Sequence, residues 1–190
     1  MIQTKIFGEA TNYLLRKLGN SKQMKIIKLM YLADKYHLTR YGRSVTHDIY
    51  YAMPKGPVGV FLKSFLDNVT RTSCDEHEDS IFTTFVQKER DKTYKAKNIN
   101  PDYPFKMLSE TDIEALDFVI KHYGDMSPED LSDYSHKYPE WLKYEDEFSD
   151  GKEKGLKIDI EELFSVLEND PLFIEKTHID CSISILRGEF

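Results

Sequence analysis

The sequence predicts a mainly α-helical fold: a compact, single-domain helical structure with a small β-hairpin or sheet element. Three observations predict it. Apolar residues recur at helical spacing through most of the chain. Glycines, prolines and Ser or Asp caps stand where those stretches begin and end. The length, 190 residues with 40% hydrophobic and 31% charged, suits one domain that buries its own core.

Thr4 to Leu18 carries Ile6, Phe7, Ala10, Tyr13, Leu14 and Leu18 close to helical spacing, and Gly19 suits the left-handed position that ends such a helix. Asn20 or Ser21 then caps a helix from Lys22 to about Tyr41. Its apolar residues sit almost all the way round, so it is expected to be central and buried, with Lys25, Lys28 and Lys35 on its wettest stripe. Ile49 to Met53 reads as a strand, Pro54-Lys55-Gly56-Pro57 as a turn, and Val58 to Val69 as a helix. Ile81–Val86 and Thr93–Ala96 read as a hairpin across a charged turn, after an acidic loop from Thr72 to Ser80.

Ser109 and Asp112 form a candidate capping box for a helix ending at Gly124. Ser127-Pro128-Glu129-Asp130 opens another, running to about Tyr138. Trp141–Phe148 reads as a short helix, and Asp159 caps a last one through Leu167. In the tail, Ile179, Cys181, Ile183 and Ile185 alternate with polar residues, which predicts a strand with one apolar face.

The net charge of −7 is unevenly placed. The first 43 residues hold nine Lys or Arg and two acids, and the remainder is strongly acidic. Such a field guides partners without specifying a fold. No apolar run reaches membrane-helix length, and residues 1–10 do not read as a signal peptide. Two cysteines are too few for a disulfide framework, so a cytoplasmic chain with free thiols is expected. No cofactor is expected. A basic N-terminal helix that must bury its other faces, beside an acidic remainder, argues against direct nucleic-acid binding.

Candidate chemistry is sparse. Cys74-x-x-His77 and His178-x-x-Cys181 would make a tetrahedral zinc set. The pairs are far apart in sequence, and a tail strand would point His178 and Cys181 to opposite faces. The expectation is therefore a buried Cys181 and an exposed acidic loop around Cys74, with no metal site. Asp133 and His136 are spaced to meet on one helix face. They are the only basis for a metal-dependent hydrolase or nuclease, and a helix-cap or core histidine is the simpler reading. Asp34, inside the apolar helix, is expected to pair with Arg40, Arg43 or Lys35. The stretch Asp125–Asp150 holds nine acids against Lys137 and Lys143. It reads either as a solvated face or as a docking surface for a basic protein.

Lys28-Leu29-Met30-Tyr31-Leu32-Ala33-Asp34, Tyr41-Gly42-Arg43 and Tyr51 to Val58 resemble the Panacea, or SocA-like antitoxin, domain. Leu131, Ser135-His136 and Pro139-x-Trp141 resemble its later helix. On this resemblance residues 1–170 are the domain and 171–190 a C-terminal extension. It implies a mostly helical fold with a small β element. It further implies an antitoxin of a two-gene system, neutralising a cognate and often translation-blocking toxin by direct contact. The alternative role is an adaptor that delivers a bound partner to a protease. Leu29, Tyr31, Asp34, Gly42, Arg43, Gly56, Pro57, Val58, His136 and Trp141 are expected to be architectural. The expected partner surface comprises Glu129, Asp130, Asp133, Glu140, Glu145 and Asp146 with Ile183 and Ile185 of the tail.

Overall fold

A computed structural model describes residues 2–69, 84–149 and 155–189. Helix α1 (Ile2–Leu18) ends at Gly19 in the left-handed conformation, as its sequence predicts. A two-residue strand β1 (Ser21–Lys22) leads into α2 (Gln23–Tyr41). The sequence assigns Ser21 a capping role. Instead it pairs with Tyr94, and α2 starts without a side-chain cap.

Helix α2 is the axis of the molecule. Every residue from Ile26 to Thr39 is buried. All-round burial follows from its all-round apolar surface, but it overturns one expectation. Lys28 and Lys35 are not on a wet stripe: they are 1% and 0% exposed. On a helix enclosed by protein there is no wet side for a lysine to choose.

Strands β2 (Tyr50–Met53) and β3 (Gly56–Gly59) form a hairpin in register Tyr51 opposite Val58, so β3 includes Pro57 and Val58. The sequence places these residues in a turn and a helix start. Pro57 is tolerated because β3 is an edge of the sheet order β3-β2-β6, with β6 at Leu156–Lys157. Helix α3 (Val60–Asn68) follows directly. Asp48 supplies its start from the preceding loop, accepting from the Phe61 N–H at 2.9 Å and the Leu62 N–H at 2.8 Å.

The second sheet has order β1-β5-β4, with β4 at Val86–Lys88 and β5 at Thr93–Ala96. The expected hairpin is present from Val86 onward. Residues 81–83, like Cys74 and His77, lie outside the described residues. Tyr94 is fully buried and donates to the Leu66 carbonyl at 2.9 Å, tying this sheet to α3.

Helices α4 (Glu110–Tyr123) and α5 (Pro128–Ser135) begin at the expected Ser109 and Ser127 caps; Ser109/Asp112 is the expected capping box, and Ser127/Asp130 forms a second one where the sequence predicts a cap with acid in the first turn. Short helices α6 (Pro139–Leu142) and α7 (Glu145–Ser149) divide the segment read as one helix. Asp159 caps a 3₁₀ turn at Ile160–Phe164, shorter than the predicted helix. Among the described residues, no helix is long and apolar enough to cross a membrane.

The tail is not a strand. Lys176–Arg187 is helix α8, ended by Gly188 in the left-handed conformation. Ile179, Ser182, Ile183 and Leu186 share its inner stripe at spacings of three and four, and this stripe prevails over the alternation of isoleucines. Ser182 donates to the Thr39 carbonyl at 3.0 Å, and Arg187 grips Glu161 with bonds of 2.8 and 2.6 Å. Cys181 is exposed rather than buried. The helix puts His178 and Cys181 on one face, not on opposite faces, and His178 Nε2 lies 3.0 Å from the Arg40 carbonyl oxygen.

Candidate functional site

The motif residues Gly56, Pro57, His136 and Trp141 converge around the β2–β3 hairpin. Trp141 Nε1 donates to the Met53 carbonyl at 2.8 Å, and Ser132 donates to the Lys55 carbonyl at 2.9 Å. Lys28 Nζ donates to the Pro57 carbonyl at 2.9 Å. Three bonds from α2, α5 and α6 thus hold one hairpin. His136 stacks on Trp141 with ring centroids 3.7 Å apart and a 12° tilt. Gly56 sits at φ +91°, where a side chain would collide with Ser135 and stand 2.5 Å from Lys28 Nζ. Asp133 is exposed, and His136 caps the end of α5. Among the described residues, no group of three or more His, Cys, Asp or Glu could hold a metal ion.

In front of the hairpin lies a cleft of about 400 Å³. Its floor is apolar, from Met24 and Ile27 of α2 and Met53 and Val58 of the hairpin. Lys22, Lys28, Lys55, Lys63 and Lys92 reach it from β1, α2, the β2–β3 turn, α3 and the β4–β5 turn, and Glu129 of α5 closes one edge. Lys63 is paired with Asp67 at 2.6 Å, and Lys22 donates to the Asp91 carbonyl at 3.0 Å. Lys55 and Lys92 are exposed. Lys28 forms the deep end, and burial with no carboxylate beside it pulls its amine down to about 7. His136 Nε2, behind the same hairpin, is buried without a hydrogen-bond partner. Burial and the neighbouring Lys28 both lower its affinity for a proton.

Lys35 has the opposite environment. Its Nζ lies 2.6 Å from Glu140 and also donates to the carbonyls of Leu163 and Ser165 at 3.1 and 2.8 Å. Tyr31 and Ser165 donate to Glu140, each at 2.5 Å. Glu140 is therefore removed from the expected outward partner surface: it is 2% exposed, because the buried Lys35 requires a counter-charge. Of the other expected partner residues, Glu129, Asp130 and Asp133 are exposed on α5, and Glu145 and Asp146 on α7. Asp130 also serves the capping box. Ile183 is half-buried against the core, while Ile185 stays 48% exposed.

Among the described residues, Asp34 has no ion-pair partner. It accepts from the Thr46 N–H at 3.0 Å, from the Thr46 hydroxyl, and from the Tyr50 hydroxyl at 2.8 Å. Burial pushes its carboxyl up to about 7, against the hydrogen bonds. Arg43 instead pairs with Asp112 at 2.9 Å and bonds Ser109 at 2.8 Å, joining the end of α2 to the cap of α4. Leu29 and Tyr31 are fully buried in the core. Sequence reasoning missed Lys28 as a site residue. The available signal was that a helix apolar all round must bury its lysines.

A family model described as antitoxin SocA-like, Panacea domain, matches residues 26–142. Neither a curated protein nor a solved structure matches the chain.

Proposed function

The chain belongs to the SocA-like antitoxin, Panacea domain family, and from that premise we propose that it neutralises a cognate toxin by direct protein–protein binding, without chemistry on its partner. The observation that carries this reading is the extent of the match. Residues 26–142 take in most of the central helix, the hairpin and the helices that hold it. A toxin that blocks translation is the partner class proposed.

The proposed contact surface includes the outward acids Glu129, Asp130 and Asp133 of α5 and Glu145 and Asp146 of α7, with Ile185 of α8. Glu129 stands where this acidic rim meets the lysine-lined cleft. Opposite charges side by side select a partner with the complementary pattern and speed its approach.

The test is to express the neighbouring reading frame in bacteria, alone and with this chain, then count survivors and purify the pair. Growth arrest alone, with rescue and co-purification together, is the expected result. Rescue with disappearance of the neighbour would replace neutralisation with delivery to a protease. A neighbour that is harmless on its own would sink the proposal.

A further inference from the structure

Two lysines on one face of α2, seven residues apart, are treated differently by the fold. A buried ammonium is costly unless an anion compensates it. Lys35 has its anion in Glu140, with every remaining donor satisfied. Lys28, equally sequestered, has only the Pro57 carbonyl among the described residues. It is also the one of the two that lines a cleft, and that cleft gathers four further lysines, one of them, Lys63, paired with Asp67, against one lining acid among the described residues, Glu129. Lys28 helps to hold the hairpin, but the hairpin's packing does not call for the further lysines gathered there. Trp141 and Ser132 already hold the hairpin through neutral donors.

We infer that the cleft receives an acidic, apolar-flanked segment of the partner protein and seats one of its carboxylates on Lys28. This inference rests on the reading of the partner as a protein. The lining favours a protein segment over a small anion. Among the described residues, no aromatic ring lines the cleft to stack on a base or sugar. Met24 and Met53 give a floor whose flexible thioethers adapt to varied aliphatic side chains. Lys55 and Lys92 stand at the mouth, where successive acids of an extended segment would pass. A carboxylate placed beside Lys28 would also restore the charge that burial suppresses.

The test uses the full chain and two variants, Lys28→Met and the rim double variant Lys55→Glu/Lys92→Glu. The probes are the toxin, a peptide alternating glutamate and leucine, its lysine counterpart, and inorganic phosphate. Thermal melting confirms that each variant is folded. Should Lys28→Met fail to fold, the rim variant, confined to exposed residues, carries the test alone. The expected result is binding of the glutamate peptide but not the lysine peptide. Affinity for both the glutamate peptide and the toxin should fall about tenfold or more in the variants. Unchanged toxin affinity in folded variants overturns the inference and leaves the proposed function standing. A wild-type chain that ignores the toxin overturns the proposed function, and the glutamate peptide then decides the cleft by itself. Lys28-dependent binding of phosphate without binding of the peptide assigns the cleft to a small anion and overturns the inference.

Discussion

Lys28 and Lys35 give two different predictions because one is compensated and the other is not. Glu140→Ala leaves Lys35 charged in the core without its partner. The expected loss is about 3–5 kcal/mol of stability in urea denaturation, and a loss below about 1 kcal/mol would mean that water or rearrangement replaces the carboxylate. For Lys28 the signature is in pH. Unfolded, the amine holds its proton up to about 10.5, whereas in the fold it releases it near 7. The burial cost is therefore full below about pH 7 and fades as pH climbs towards the ordinary lysine value. Relative to Lys28→Met, the wild type should gain stability by up to about 1.4 kcal/mol per pH unit across that window. Parallel stability curves for the two proteins would show that the amine is solvated after all. Neither environment was legible in the sequence. Both lysines sit on the same apolar helix, and what separates them is a glutamate 105 positions beyond Lys35.

At the level of elements, legibility followed the locality of the signal. The capping box at Ser109/Asp112 and the cap at Ser127 are written within four residues, and both appear as read. The start of α3 is set by Asp48 from 13 positions upstream of Phe61, so its boundary was misplaced by two residues. Helix α8 was misread because four alternating apolar residues also contain a helical stripe, and only the docking surface on α2 decides between the two periods. That surface includes Gly42, at φ +68°, where a Cβ would stand 2.5 Å from the Ser182 carbonyl oxygen. Gly42→Ala should therefore strain the end of α2 and lift α8 together. The expected loss is about 1–3 kcal/mol, with faster amide exchange confined to α8 and the last turn of α2. Exchange that is unchanged in α8 would refute the coupling.

For the molecule as a whole, the mainly helical class was readable from periodicity and punctuation, because those are local properties of the chain. The candidate site was readable only in part. Gly56, Pro57, His136 and Trp141 stood out as motif residues, but nothing in their spacing said that they converge on one hairpin beside Lys28. The uneven charge of the sequence is also rearranged by folding. Lys22 and Lys28 of the first 43 residues and Glu129 of α5 end as neighbours at the cleft rather than as opposite poles.

The Lys35 cluster has a consequence for the life of the chain in the cell. Its members are Lys35, Glu140 and Ser165, so the central helix waits on residues 105 and 130 positions behind it. A nascent chain interrupted before Ser165 carries the cation but not its full set of partners. Long-range closure of this kind is late in folding and leaves unfinished chains open to proteolysis. The folded core therefore waits on synthesis past Ser165 and does not accumulate in proportion to the length already made.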